Sequence, residues 1–209
     1  MNELNAQQKK NNLTVIIIFA MSIIPFGIAW YLSSNGAWMG GGTNQGRLIT
    51  PPITTEFNEF SGFDEFSAEN LHEIKGRWVF INVVPKKQCN ENCRFAIYKT
   101  KQLRVMMGKD LTRTRRLVLI SSEAEPAKLQ LKWQDEKTGE VAEDNRLIKA
   151  KMAPSLLIKL NKTGKNGIED GMLFLMDPLG NIMMLYEPEF DPYEVKSDLR
   201  KLLKISQIG

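Results

Sequence analysis

The chain has 209 residues, of which 28 are basic and 24 acidic, for a formal net charge of +4. Beyond any membrane segment, that length makes one ordinary domain with a core of its own. The charge is mixed and scattered, not the concentrated positive field that nucleic acid requires, so no nucleic-acid partner is expected.

Leu13 to Leu32 (LTVIIIFAMSIIPFGIAWYL) holds no charged residue. At roughly 1.5 Å per residue such a helix spans about 30 Å, the thickness of a bilayer core. Trp30 and Tyr31 close it where amphipathic rings favour the interface, and Pro25 and Gly27 are tolerated inside membrane helices. The competing reading is a cleaved signal peptide, whose apolar stretch is usually shorter and ends at a small-x-small site that does not follow cleanly here. The expectation is a single-pass anchor at residues 13–32 after a cytoplasmic N-terminus at 1–12. Lys9 and Lys10 precede the span and the next charge is Arg47, so the positive-inside bias sends the remainder across the membrane. In a bacterium this means the inner (cytoplasmic) membrane with the C-terminal domain in the periplasm, where paired cysteines oxidise.

Residues 33–46 (SSNGAWMGGGTNQG) read as a flexible linker. The domain then runs over 47–209, opening on an extended lead-in, Arg47 to Pro52, restrained by its prolines. Phe57, Phe60, Phe63 and Phe66 recur at spacing three and suggest one aromatic face packed on the domain. Trp78 to Val84 (WVFINVV) suits a strand buried on both faces. A loop carrying Cys89 leads into a helix over 93–107 with Gly108 as its C-terminal stop. Leu117 to Ile120 is a second buried strand, entered through the basic run Arg113 to Arg116. Strand, helix and strand within about 45 residues make a βαβ unit with parallel strands.

The stretch from about 123 to 151 is heavily charged, with Leu129, Leu131 and Trp133 alternating before Thr138-Gly139, and reads as a projecting hairpin or a plain solvated insertion. Leu156 to Leu160 is apolar except for Lys159. Gly171 to Met176 and Ile182 to Tyr186 form a hairpin around the tight turn Asp177-Pro178-Leu179-Gly180-Asn181. Asp191-Pro192-Tyr193-Glu194 opens a final helix with Val195, Leu199, Leu202 and Leu203 as its buried stripe. The fold class is α/β: a thioredoxin-like mixed sheet flanked by helices, preceded by one N-terminal transmembrane helix.

Cys89 and Cys93 are the only cysteines, and the CxxxC spacing lets their sulfurs meet as a disulfide or as ligands of one soft metal ion. Their place at a strand end running into a helix N-terminus favours a thiolate. Arg94 adds to that by charge attraction, and Glu91 opposes it. A purely structural disulfide remains the alternative, with a small entropic gain from so short a loop.

Gly76-Arg77-Trp78-Val79-Phe80-Ile81-Asn82, then Cys89-x-x-x-Cys93, then Asp177-Pro178-x-Gly180-Asn181 resembles the Sco/SenC family, as does the ending Asp198-Leu199-Arg200-Lys201-Leu202-Leu203. The resemblance implies a membrane-anchored thioredoxin-like protein that helps build the copper site of cytochrome c oxidase. It names the copper-bearing subunit as partner and copper as cofactor, with Cys89 and Cys93 as Cu(I) ligands or as a redox pair. It implies an assembly factor in place of an enzyme. The alternatives are a periplasmic thiol-disulfide oxidoreductase and a non-catalytic thioredoxin-like binding scaffold. The family's third ligand is a histidine; the matching position here lies near Glu169, and the one histidine, His72, stands upstream. Met172, Met176, Met183 and Met184 are alternative soft donors or core filling. Ordinary thioredoxin-like oxidoreductases place a cis-proline before the strand facing the cysteines; Gly171-Met172 stands there, and Pro154 is far upstream.

Overall fold

The computed structural model describes residues 2–34, 44–85, 88–121, 133–134, 141–142, 144, 146–164 and 167–206. The chain divides into two compact units, residues 1–43 and 44–209. In the first, helix α1 (Asn2–Ser34) contains a 21-residue stretch, Asn11–Tyr31, long and apolar enough to cross a membrane. Trp38, Met39 and the Thr138-Gly139 turn lie outside the described residues.

The second unit is built on a seven-stranded mixed sheet. Its strands are β1 (Arg47–Thr54), β2 (Phe60–Gly62), β3 (Trp78–Val84), β4 (Thr114–Ile120), β7 (Ile148–Met152), β8 (Leu173–Met176) and β9 (Asn181–Tyr186). Their order across the sheet is β1-β9-β8-β3-β4-β7-β2. A separate two-stranded ribbon pairs β5 (Trp133–Gln134) with β6 (Val141–Ala142). The helices of this unit are α2 (Glu65–Asn70), α3 (Glu91–Met106), α4 (Pro154–Asn161) and α5 (Pro192–Ile205).

The βαβ unit is β3–α3–β4, with β3 and β4 parallel in register from Trp78↔Thr114 to Val84↔Ile120. Every residue of β3 is buried, because helices cover both faces of the sheet there. Odd-numbered β3 residues, Val79, Ile81 and Val83, enter the cluster with Leu117, Leu119, Phe174, Leu71 and Leu156, on the side of α2 and α4. Even-numbered Trp78 and Phe80 join Leu103 of α3 and Val195, Leu199 and Leu203 of α5. The α3 helix stops where Gly108 takes φ +58°, a left-handed conformation that glycine adopts at no steric cost.

Several segments differ from their sequence-based reading. Most of the basic run does not lead into β4 but lies within it: Arg113 ends the turn before the strand, while Arg115 and Arg116 belong to it, Arg116 only 6% exposed. The charged stretch was expected to continue to Lys151; instead Ile148–Met152 is a strand of the main sheet, parallel to β4. Its alternation decides this: Ile148, Ala150 and Met152 are buried while Lys149 and Lys151 point away. The Pro51-Pro52 lead-in is an edge strand, antiparallel to β9, its pairing interrupted between Leu48 and Ile53 where the prolines lack donors. The four phenylalanines do not form one face: Phe60 is buried and Phe63 packs near the cysteines, whereas Phe57 and Phe66 are about 40% exposed.

The start of the domain is tied to its end by a buried carboxylate. Asp198 of α5 accepts the backbone N–H groups of Gln45 and Gly46 at 2.8 and 2.9 Å and the Tyr186 hydroxyl at 3.3 Å. Lys201 lies 3.3 Å away and supplies the opposite charge. Burial, with Asp198 beside it, pushes the Tyr186 hydroxyl well above the usual tyrosine range.

Candidate functional site

Strand β3 ends at Val84 and the chain reaches Cys89 before turning into α3. Asn90 is the N-cap: its side-chain oxygen accepts from the Cys93 backbone N–H at 3.0 Å, satisfying one of the free donors of the first turn. Cys93 thus sits in the first turn of α3, where exposed N–H groups and the helix dipole favour negative charge. Cys89 and Cys93 form a disulfide with Cα atoms 5.3 Å apart. Both are 2% exposed and pack with Val84, Ile97, Val118, Ile120 and Leu147 at the C-terminal ends of β3 and β4. Arg94 turns back to donate to the Cys89 carbonyl at 3.3 Å.

A second segment closes over the motif. Because β8 runs antiparallel to β3, with Leu173 opposite Asn82, the loop that precedes β8 lies at the end of β3 that carries the cysteines. Asn90 donates through its side-chain amide to Asp170 at 3.0 Å, a contact between residues 80 apart in sequence. Gly171 has φ +94°, and a Cβ built on it would stand 3.3 Å from the Asn92 carbonyl oxygen. Only glycine meets both the left-handed backbone and the close approach without strain. The loop before β8 is thus held against the cysteine motif by a glycine. The cis peptide bond among the described residues is Thr50-Pro51, in β1.

Beneath the first turns of α3 lies a buried polar network. Thr100 donates to Asn82 Oδ1 at 2.8 Å, Arg116 donates to the Ile97 carbonyl at 2.8 Å, and Arg116 ion-pairs with Asp144. Burial pushes the Arg116 guanidinium down, and Asp144 holds it up in part. This network anchors the helix that carries Cys93.

The other expected donors are elsewhere. His72 follows α2 at the N-terminal end of β3, its ring Nδ1 2.8 Å from the Glu69 carbonyl oxygen. The length of β3, about 20 Å at roughly 3.3 Å per residue, separates that end from the cysteines. Glu73 beside it ion-pairs with Arg115 at 2.6 Å, a bond that holds the carboxyl below its usual range. Met172 and Met176 belong to the α2/α4 cluster, and Met184 and Met183 pack with the α5 cluster, so none joins the one containing the sulfurs. Pro154 opens α4.

The structure brings Cys89 and Cys93 together and sets the loop of Glu169 and Asp170 against them through Asn90. Asp170 and the double role of Asn90 were not among the sequence-based expectations. The Asn at N-cap position was a readable signal; Asp170 had none, being a lone acidic residue in a loop.

As donors for copper, the reduced cysteines supply two soft thiolates, the type that Cu(I) prefers. The facing loop supplies carboxylates, Glu169 and Asp170, which suit hard ions. Among the described residues no group of three histidine, cysteine or acidic side chains is placed to hold a metal. A resident three-ligand copper centre therefore does not fit the described residues.

Residues 78–206 match the family model described as transmembrane-like, thioredoxin-like, C-terminal domain. Solved structures similar in fold include a thiol:disulfide interchange protein of the thioredoxin family from Chlorobium tepidum TLS, at 15% identity. That match covers 63% of this chain and 83% of the other, with a TM-score of 0.42. ScoI from Bradyrhizobium japonicum with copper bound is 18% identical over 62% of this chain and 87% of its own, with a TM-score of 0.39. Apo Sco1 from Thermus thermophilus is 13% identical over 78% and 99%, with a TM-score of 0.48. No curated protein matches the sequence. The family match takes in β3, the cysteine helix, the β8–β9 hairpin and α5, and by it this chain belongs to the transmembrane-like, thioredoxin-like C-terminal domain family.

Proposed function

We propose that the chain is a membrane-anchored, Sco-like accessory protein in the assembly of cytochrome c oxidase, working by dithiol–disulfide exchange. The reduced Cys89–Cys93 pair gives two electrons and two protons to a disulfide in the oxidase's copper-bearing subunit. The partner regains two thiols, and the pair closes to the disulfide found here. A dithiol donor then restores it. The anchor is residues 13–32 and the domain, 47–209, works on the periplasmic side. The observation that carries the reading is the cysteine pair itself, set at a strand-to-helix junction and faced by the loop before β8. A staple of so short a loop is limited to about 2 kcal/mol, the low end for a disulfide, which favours exchange as the use of the site.

The test is cellular. Cells carrying Cys89→Ser and Cys93→Ser are expected to lose assembled oxidase several-fold while the variant protein accumulates normally. Unchanged oxidase levels would overturn the reading.

Copper carriage is the second reading, favoured by the two soft thiolates of the reduced pair. Copper is then cargo, held by Cys89 and Cys93 alone. Its measurement is the copper stoichiometry of the reduced full chain against Cys89→Ser; no copper on either would exclude it.

A further inference from the structure

We propose that Asp170 is a positioning residue that sets the redox balance of the cysteine pair by acting through Asn90. The inference rests on the exchange reading above and names how the same site is tuned. Asn90 joins two hydrogen bonds in series. Its amide nitrogen donates to Asp170 Oδ2 at 3.0 Å, and its oxygen accepts from the Cys93 backbone N–H at 3.0 Å.

The first bond fixes the orientation of the amide, because only one of its two ends can donate. With the nitrogen held at Asp170, the oxygen is held on the N–H of Cys93. That N–H belongs to the first turn of α3, among the donors that stabilise a reduced sulfur at a helix start. Asp170 therefore keeps a donor occupied that the reduced pair would otherwise use. The oxidised pair makes no such demand, since a disulfide sulfur is a weak acceptor. The consequence is a disulfide favoured over the dithiol, a more reducing pair suited to giving electrons away.

The approach of the Asp170 loop is built in. Gly171 meets the Asn92 carbonyl where a side chain would crowd it, so the loop reaches the motif at two adjacent points. The bond spans 80 residues of sequence and joins the β8 loop to the helix cap, so it exists only in the folded domain.

The experiment measures the equilibrium of the full chain in detergent with a two-electron exchange, in which each Cys89–Cys93 disulfide takes two electrons and two protons from two glutathione thiols. Asn90→Ala is expected to shift the equilibrium constant about tenfold toward the dithiol, about 30 mV for a two-electron couple. Asp170→Ala is expected to shift it several-fold in the same direction, and the double variant no further than Asn90→Ala alone. Asp170→Asn keeps an acceptor oxygen for the Asn90 amide and is expected to stay within about twofold of wild type. An unchanged equilibrium in Asp170→Ala, or shifts that add in the double variant, would overturn the inference. An Asp170→Asn shift equal to that of Asp170→Ala would overturn it as well, since bare charge would then be the agent. A wild-type pair that glutathione cannot reduce would count against exchange itself. The variant differences are then read in dithiothreitol buffers, so the two failures are told apart.

Discussion

The two faces of β3 are built on opposite plans. Val79, Ile81 and Val83 enter an apolar cluster under α2 and α4. On the other face, Trp78 and Phe80 give way to Asn82, bonded to Thr100, with Arg116 alongside from β4 and the cysteine pair beyond the strand end. Alternate residues of one strand thus serve different ends. One face supplies stability by burial alone, while the other buries charge and amide groups, which give little net stability, to fix the helix that carries Cys93. Placing polar groups where apolar ones would pack as well is the mark of a site held in position.

The largest effect that separates the faces is Arg116→Met. It leaves Asp144 without its ion-pair partner in a largely dry site, and breaking such a pair costs about 3–5 kcal/mol. Denaturant unfolding measures it, and a loss below 1 kcal/mol would show that the polar face is not organised around this residue. Ile81→Ala, wholly buried on the apolar face, is expected to cost about 2–5 kcal/mol by cavity formation. Its second signature sharpens the contrast: the disulfide's exchange equilibrium stays at the wild-type value, because the Ile81 side chain packs in the apolar cluster on the opposite face from Asn82 and Arg116. The double change Cys89→Ser with Cys93→Ser is expected to cost about 2 kcal/mol, the limit for a loop this short. A cost of 4 kcal/mol or more would make the disulfide a staple after all.

The smallest effect is the acid limb, and it belongs to the apolar face, whose periphery is ringed by paired carboxylates. Burial raises Glu59, but the Glu56 N–H, Lys159 and Ser155 outweigh it and hold it below its ordinary 4.5. Asp64 is held below 3.8 in the same way, by Lys149 and Ser67 against burial, and Glu73 below 4.5 chiefly by its bond from Arg115. Depressed carboxylates bind fewer protons folded than unfolded near these values. Their contribution is therefore complete above about pH 4.5 and is lost as the pH falls below 4.5 and 3.8 through the lower folded values. Thermal melts from pH 7 downward are expected to hold level to about 5 and then fall. Glu59→Gln shortens that fall, and an unaltered acid limb in that variant would contradict the assignment.

Much of this fold was readable because its signals were local and concentrated in a few adjacent residues. β3 is a continuous apolar run, α3 ends at a glycine, the β8–β9 hairpin turns on Pro and Gly, and α5 begins with Asp-Pro. β7 was hidden because Lys149 and Lys151 alternate with its buried residues inside a charged stretch, so local composition outweighed a period of two. α4 was not recognised because it is eight residues long and its N-cap, Ala153, offers no capping side chain. The cysteines announced the site by number and spacing. Asp170 did not, because what makes it matter is a bond to a residue 80 positions away, and only the antiparallel placement of β8 beside β3 creates that bond.

The central claim is that Cys89–Cys93 is a working redox pair. Its direct test is the reduction potential of the full chain, taken from its equilibrium with glutathione. A value above about −300 mV is expected, where cellular dithiols can drive the pair both ways. A potential below that, in the range of structural disulfides, would contradict it.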